Sequence, residues 1–389
     1  MIAPGPAFSV SMVFLLASSM LTVPPLLLLA VPAWPTAVLI GVFVLFGASA
    51  PPAEAHEPPP IQKPAALQPG DTIMFVAPAG ELIEDRVMLA KQRLEARGFR
   101  VIVPDDLFRV HGYLAGTDQR RADELMAAFT NPDVDAVFPG TGGYGTTRIL
   151  PLLDFDAIAA NPKVFIGFSD ITALHLAIHQ RTGLVTFHSP NPQWGLGSDD
   201  GLHPLAEKYW WRALLASSYE QAGDQGWRFA FDGYDDVGGV VPLTSGVGRG
   251  RLIGGNLSLV AALMGTPDEP QTDGKVLFLE DVGEAPYRVD RMLRQLDAGG
   301  KLDDLAGALL GGFTFRRNDK PLPEGAWTVE DVLRQYFEGR DYPVLMRVPF
   351  GHLRANTTLP VGALAEVTAD AGSGAASVRL LEDPVILPE

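Results

Sequence analysis

Short apolar runs alternate with longer stretches of helical periodicity between residues 70 and 190. Buried strands that alternate with helices form a parallel sheet covered on both faces, so this half of the chain predicts an α/β fold. In such sheets, ligands bind at the carboxyl ends of the strands. The predicted strands are Thr72–Ala77, Arg100–Pro104, Ala136–Pro139, Val164–Phe168 and Val185–His188, and helices are predicted at Ile83–Arg97 and Gln119–Phe129.

The second half of the chain has a more mixed pattern, which predicts a smaller C-terminal β/α domain with mixed strands. Two helix–strand pairs precede the strand-like run Pro343–Pro349, and an antiparallel pair is predicted to close the domain. The other predicted elements are a helix opened by Gly254-Gly255-Asn256-Leu257, a strand at Lys275–Leu279, a helix at Tyr287–Leu296, and the closing pair Leu359–Thr368 and Ala376–Leu381.

A helix at Pro204–Ala216 and a polar stretch rich in Gly and Asp, Ser217–Gly239, separate the two halves. Two domains are predicted, because about 330 residues are enough for two separate cores. The predicted segments are a signal peptide or membrane anchor (1–55), a Pro-rich linker (56–68), an N-terminal domain (69–200), an interdomain connection (201–239) and a C-terminal domain (240–389).

The leader is strongly apolar, and its first charged side chain is that of Glu54. Ala48-Ser49-Ala50 and Ala53-Glu54-Ala55 both resemble sites cut by signal peptidase. The stretch is longer than an ordinary signal core and has no Lys or Arg before it, which translation from Met12 or Met20 would partly explain. A cleaved signal and a retained anchor both stay open. Either one predicts an exported protein, periplasmic or anchored to the outer side of the inner membrane, with membrane contact only through this segment.

The net charge and the absence of cysteine exclude several classes of function. Without residues 1–55 the chain loses one acidic residue, so 30 basic and 45 acidic residues remain and the net charge is −15. Such an acidic surface argues against a nucleic-acid partner, which is bound through Lys and Arg. The chain has no cysteine, which excludes disulfides, a thiol nucleophile and a Cys-type zinc site. The sequence does not determine the oligomeric state, and a homodimer stays open.

Ser169 lies where a predicted strand turns abruptly into a helix, in Gly167-Phe168-Ser169-Asp170-Ile171. A serine at such a corner projects its hydroxyl above the sheet, and the amide of Asp170 points the same way from the helix N-terminus. This arrangement supplies a nucleophile and one oxyanion donor. The alternative is that Ser169 or Asp170 merely caps the helix.

The segment from Gly140 to Gly145 follows a predicted strand and matches the pattern G-x-G-x-x-G. A dinucleotide site is disfavoured because this is not the first strand of the domain. Gly142 and Gly143 could instead bring backbone N–H groups to a reacting carbonyl and complete an oxyanion hole with Asp170. A simple tight turn is the remaining alternative.

Glu280 ends a predicted strand, and His352 follows another in Phe350-Gly351-His352. An acid at a strand's carboxyl edge can orient a histidine that acts as a base, although it can equally cap a turn. His188, which ends the strand Val185–His188, is the competing candidate for the base.

Metal and phosphate chemistry have little support. His175 and His179 are spaced i, i+4, as in zinc-binding helices, but no Glu lies between them in the metalloprotease arrangement and no third ligand is evident. We interpret them as helix-surface histidines that pack against neighbours, and predict no metal. The chain contains no G-x-x-x-x-G-K-[ST] loop for nucleoside triphosphates.

Taken together, these segments resemble the LD-carboxypeptidase family of serine peptidases (S66), which includes muramoyltetrapeptide carboxypeptidases and microcin C self-immunity peptidases. The matching stretches occur in family order from about Gly70 to Thr368. They are Gly70-Asp71-Thr72, Gly142-Gly143-Tyr144-Gly145, Gly167-Phe168-Ser169-Asp170-Ile171-Thr172, Gly254-Gly255-Asn256-Leu257, the twelve residues from Glu280 to Arg291, and Gly351-His352.

The resemblance implies a nucleophile at Ser169, a glutamate at Glu280 and a base at His352, with the nucleophile in the N-terminal domain. It also implies removal of the terminal D-alanine from a murein tetrapeptide, without a cofactor. A peptidase for aminoacyl-nucleotide conjugates and a catalytically silent murein-binding protein are the alternatives. Carboxypeptidase members commonly carry Arg where this chain has Thr141, which leaves substrate details open, although Tyr144-Gly145 favours the carboxypeptidase branch.

Overall fold

The computed structural model describes residues 58–218, 227–229, 238–314 and 324–388. The predicted leader and much of the predicted interdomain connection therefore lie outside the described residues. All of these described residues belong to one compact unit. In the described ranges, no helix is both long and apolar enough to cross a membrane.

Fourteen strands in the described ranges form two sheets. They are β1 (Thr72–Val76), β2 (Arg100–Ile102), β3 (Ala136–Pro139), β4 (Val164–Gly167), β5 (Thr186–His188), β6 (Trp227–Phe229), β7 (Val241–Pro242), β8 (Gly246–Asn256), β9 (Val276–Val282), β10 (Gly307–Thr314), β11 (Val344–Met346), β12 (Leu359–Val361), β13 (Leu364–Asp370) and β14 (Ala375–Leu380).

The described ranges contain nine α-helices, most of which connect one strand to the next. They are α1 (Glu84–Glu95), α2 (Asp118–Thr130), α3 (Thr146–Ile149), α4 (Phe155–Ala160), α5 (Thr172–Thr182), α6 (Pro204–Leu214), α7 (Leu257–Ala262), α8 (Pro286–Ala298) and α9 (Val329–Phe337), with short 3₁₀ turns at Leu150–Leu152 and Ser169–Ile171.

The first sheet has the strand order β12-β5-β4-β3-β1-β2. Strands β1 to β5 are parallel, as their apolar runs predict, and β3, β4 and β5 are buried along their whole length. Such runs without a polar face are typical of parallel strands covered by helices on both sides. The carboxyl end of β4 leads directly to Ser169.

The second sheet has eight strands in the order β6-β14-β13-β8-β9-β10-β11-β7. Strands β8 to β11 are parallel, and the remaining strands add antiparallel pairs at both edges. The prediction of an α/β fold with a mixed second sheet is confirmed. Glu280 lies near the carboxyl end of the central strand β9.

Three predictions about the second half were wrong in detail. The segment Gly254–Asn256 ends the long strand β8, and the helix begins only at Leu257. The polar stretch assigned to the connection contains a strand, β6, which pairs with β14. The predicted strand Leu359–Thr368 is two strands, and β12 crosses to the first sheet, where it pairs antiparallel with β5. The predicted strand is interrupted at Gly362, because its φ of 90° is incompatible with an extended strand.

Two contacts join the halves beside the predicted site. Strand β12 adds to the edge of the first sheet, so the C-terminal part of the chain covers β5. The backbone amide of Asn256, at the end of β8, donates to Oγ1 of Thr172 at the start of α5 (3.0 Å). These contacts hold the carboxyl ends of β4 and β9 against each other.

Candidate active site

Ser169 occupies a strained corner between β4 and α5. Its φ is 62°, and only one other non-glycine residue in the described ranges, Arg347, has a positive φ. That conformation costs about 1–3 kcal/mol and is concentrated at functional sites. It is the expected geometry for a serine whose hydroxyl must project from the end of a sheet.

His352 connects Ser169 to Glu280. Its Nε2 lies 3.1 Å from Oγ of Ser169, and its Nδ1 lies 2.6 Å from Oε2 of Glu280. The backbone amide of His352 donates to the same carboxylate oxygen (3.2 Å). Both contacts expected of His352 are therefore present, and they join one residue of the first half to two of the second.

Glu280 is completely buried and anionic. Burial by itself would raise the pKa of this carboxyl, but the charge and hydrogen bond of His352, together with the nearby His188, outweigh burial and lower the pKa to about 2. The Nδ1–H of His352 therefore points at a permanent negative charge. This fixes the tautomer in which Nε2 has a lone pair facing the Ser169 hydroxyl.

The same pairing makes His352 a stronger base. Burial lowers the pKa of the imidazole, but the negative charge of Glu280, its hydrogen bond and the charge of Asp281 together raise the pKa above its ordinary value of 6.5. A base whose pKa lies near the working pH takes a proton from serine and returns it to a leaving group efficiently.

A polar network contacts the carboxylate oxygen of Glu280 that does not bind His352. The Nδ2 of Asn256 donates to Oε1 of Glu280 (3.3 Å) and to Oδ1 of Asp281 (3.1 Å). The hydroxyl and amide of Ser258 both donate to Oδ2 of Asp281 (2.8 and 3.0 Å). Burial and the neighbouring charge of Glu280 raise the pKa of Asp281 to about 6. Sequence reasoning assigned no role to Asn256, although its Gly-Gly-Asn-Leu segment was among the family-like motifs.

The glycine loop lies directly against Ser169 and Asp170. A Cβ built on Gly142 would lie 2.9 Å from Cβ of Ser169 and 3.2 Å from the amide nitrogen of Asp170. Gly143 is the next residue in this loop and has a φ of 108°. The absence of a side chain at Gly142 lets the loop pack directly against the corner formed by Ser169 and Asp170.

The side chain of Asp170 holds this loop in place. Its buried carboxylate accepts a hydrogen bond from the amide of Thr146 (2.9 Å), and the Thr146 hydroxyl donates to the carbonyl of Asp170 (2.6 Å). Burial raises the pKa of Asp170 despite these hydrogen bonds. The carboxylate thus ties the glycine loop to the nucleophile corner instead of capping its own helix.

His188, the competing candidate for the base, lies near Glu280 and has no hydrogen bond with Ser169. Its Nε2 is 3.9 Å from Oε1 of Glu280, beyond hydrogen-bonding distance. It is fully buried, and neither ring nitrogen has a hydrogen-bond partner among the described residues. Its position excludes direct contact with the Ser169 proton in this conformation.

His175 and His179 are buried within α5, so their interpretation as helix-surface residues was wrong. Both ring nitrogens of His175 are engaged, with Oγ1 of Thr186 and the carbonyl of Gly167 (2.9 Å each). Burial lowers the pKa of His175 to about 3 and that of His179 to about 4. Within the described ranges, no three His, Asp or Glu residues cluster as metal ligands.

Comparison with known families decides what kind of protein carries this geometry. Residues 73–189 match the LD-carboxypeptidase N-terminal domain of Peptidase S66, and residues 249–367 match its C-terminal domain. The chain belongs to the LD-carboxypeptidase family. It is therefore a serine-type carboxypeptidase, a hydrolase.

The similarity to individual relatives covers nearly the full length of each relative. The probable murein peptide carboxypeptidase of Bacillus subtilis (strain 168) is 41% identical over 304 residues, which cover 78% of this chain and 90% of the relative. The crystal structure of muramoyltetrapeptide carboxypeptidase from Oxalobacter formigenes is similar with a TM-score of 0.66 and 30% identity, covering 82% of this chain and 100% of that one.

A relative of another kind is the Microcin C7 self-immunity protein of Escherichia coli. It is 28% identical over 317 residues, which cover 77% of this chain and 90% of the relative. The family therefore contains proteins named for different activities.

Proposed function

We propose that this enzyme removes the terminal D-alanine from murein tetrapeptides by cleaving the peptide bond that follows the diamino acid. The observation that carries the proposal is the position of His352, whose two ring nitrogens face Ser169 Oγ and Glu280 Oε2. The names of the B. subtilis and O. formigenes relatives support a murein peptide as substrate.

The reaction would begin with attack of Ser169 Oγ on the scissile carbonyl carbon while His352 Nε2 takes the hydroxyl proton. Collapse of the tetrahedral intermediate breaks the carbon–nitrogen bond, and His352 gives the proton to the departing D-alanine nitrogen. Water, activated by the same imidazole, then attacks the acyl-enzyme and releases the tripeptide. Glu280 stays ionised and stabilises the imidazolium at each stage.

The oxyanion would be stabilised by backbone N–H groups of Asp170 and of Gly142 or Gly143. Donors of this kind are fixed before the reaction, so they stabilise developing charge without reorganising. The hydrogen bonds between Asp170 and Thr146 keep the two segments in register. No step of this scheme requires a cofactor.

The substrate class is tested by incubating the purified protein with muramoyl tetrapeptide and, separately, with an aminoacyl sulfamoyl nucleotide. We expect free D-alanine from the first and little cleavage of the second. Cleavage of the nucleotide conjugate alone would favour an immunity-type peptidase. Binding of tetrapeptide without release of D-alanine would favour a catalytically silent murein-binding protein.

We also propose that the enzyme is exported and works in the periplasm or anchored to the outer side of the inner membrane, beside murein. The apolar leader that precedes Glu54 supports this location. Cell fractionation with an antibody to the folded part tests it, and recovery in the cytoplasm would contradict it. The protein could also form a homodimer, and sedimentation analysis of the purified protein would measure its oligomeric state.

A further inference from the structure

A cavity of about 230 Å³ is lined in part by residues adjacent in sequence to Ser169 and His352. Its lining includes Phe168, which precedes the serine, and Leu353, which follows the histidine. The ring of Phe168 lies 4.9 Å from that of His352. The cavity is therefore lined by direct sequence neighbours of the nucleophile and the base, and a peptide bound at Ser169 can extend into it.

Arg86 contributes a positive charge to this cavity. It lies in the first turn of α1, and its guanidinium carbon is 4.4 Å from the ring centroid of Trp194. Among the described residues, its guanidinium forms no ion pair with a carboxylate. The cavity's other arginine, Arg354, is paired with Asp200 (3.1 Å) and 68% of its side chain is exposed.

Hydrogen bonds connect the residues around Arg86 to the glycine loop, residues 140–145. The indole N–H of Trp194 donates to Oγ1 of Thr141 (3.1 Å), the residue before Gly142. The side-chain oxygen of Gln193 accepts a hydrogen bond from the amide of Ile83, the residue before α1 (2.6 Å), and the backbone amide of Gln193 donates to the carbonyl of Gly140 (3.0 Å). The start of α1 and the loop that contacts Ser169 are therefore held together as one piece.

We propose that Arg86 binds the terminal carboxylate of the substrate, with Trp194 as the platform that orients its guanidinium. This inference rests on the proposed function, because a carboxypeptidase must distinguish a chain end from an internal bond. The protein is strongly acidic overall, so a peptide carboxylate needs a local positive charge to bind. A guanidinium without a carboxylate partner, stacked on an aromatic ring, presents two parallel N–H donors to such a group.

The test compares muramoyl tetrapeptide with the same peptide carrying a C-terminal amide. The wild type should prefer the free acid. Arg86→Met should lower kcat/KM for the acid by about 100-fold, the size of a lost charge-assisted hydrogen bond, and leave the amide within about threefold. Arg86→Lys should retain part of the preference. Lys91→Met removes a positive charge from α1 that is paired with Glu95 and does not line the cavity, and it should behave as the wild type.

Two results would overturn the assignment. Equal loss on acid and amide would mean that Arg86 supports the fold and not the carboxylate. Loss of the acid preference in Arg354→Met, with Arg86→Met normal, would assign the role to the other arginine. If the wild type releases no D-alanine, the proposed function fails on its own. Calorimetric binding of the acid and the amide to Ser169→Ala, with and without Arg86→Met, then still decides whether Arg86 recognises the carboxylate.

Discussion

Gly351 lies directly against the carboxylate of Glu280. A Cβ built on Gly351 would be 2.5 Å from Oε2 of Glu280, a distance that side-chain carbons do not tolerate. Its φ is 95°, which glycine adopts at little cost. Its amide donates to Oδ1 of Asn356 (2.9 Å). The glycine before His352 thus lets the histidine loop rest on the buried glutamate.

We expect Gly351→Ala to uncouple His352 from Glu280. The displaced loop should cost about 100-fold in kcat, as small misplacements of catalytic groups do. Gly374→Ala is the matched control, because Gly374 also has a positive φ (77°) but a Cβ there meets nothing within 4 Å. Gly374→Ala should lose about 1 kcal/mol of unfolding free energy from backbone strain, and Gly351→Ala should lose more because its methyl group also clashes with Glu280; urea denaturation measures both. A fully active Gly351→Ala enzyme would contradict the account.

The pH–rate profile reports the charge of Glu280. Burial lowers the pKa of His352, but the charge and hydrogen bond of Glu280 outweigh burial and raise the pKa above its ordinary value of 6.5. Wild-type kcat/KM should therefore fall as the pH drops through this raised pKa, because His352 becomes protonated. In Glu280→Gln the anion is gone, and the acid limb should move to lower pH. The rate should also fall by about 10⁴-fold, because the tautomer is no longer fixed. An acid limb that does not move would show that Glu280 does not act on the base.

Substitutions at His352 and His188 test which of the two histidines is the catalytic base. His352→Gln should lower kcat by at least about 10³-fold, since the proton of Ser169 then has no acceptor. His188→Gln changes a residue whose Nε2 is 3.9 Å from Glu280 and should cost about tenfold or less. Steady-state release of D-alanine measures both, with circular dichroism to establish folding. The reverse order of effects would transfer the role of base to His188.

The oxyanion assignment is tested at Gly142. A methyl group there would approach Cβ of Ser169 to 2.9 Å and the Asp170 amide nitrogen to 3.2 Å, so the glycine loop would have to move away from the serine and carry its N–H groups with it. Gly142→Ala should therefore lower kcat by about 10²–10³-fold. Gly339→Ala, where a Cβ meets nothing within 4 Å, is the control and should keep wild-type activity. Wild-type turnover in Gly142→Ala would place the oxyanion elsewhere.

Much of the fold could be predicted because its signals are local. The apolar runs of β1, β3 and β4 are bounded by turn residues, and the structure places strands there within one residue at each end. Ser169 was identifiable for the same reason, since a serine between a buried strand and a helix is a local pattern. The proximity of Glu280 and His352 to it required the ordered family motifs, because 72 positions separate those two residues.

Other features could not be predicted because they depend on contacts between distant segments. Strand β12 looks like the start of one long strand, and only its pairing with β5 assigns it to the first sheet. His175 and His179 give α5 a polar pattern, yet the helix is covered on both sides and the polar atoms of His175 bond to Thr186 and Gly167. The contact of Asn256 with Glu280 depends on the register of β8 and β9, which no local pattern encodes.

The central claim is that Ser169 is the nucleophile, and the rate of D-alanine release from muramoyl tetrapeptide tests it most directly. Ser169→Ala should lower kcat by several orders of magnitude while its unfolding free energy stays within about 1 kcal/mol of the wild type. Ser373→Ala, in the turn between β13 and β14, is the matched serine control and should remain fully active. A folded Ser169→Ala enzyme that releases D-alanine at the wild-type rate would contradict the catalytic set altogether.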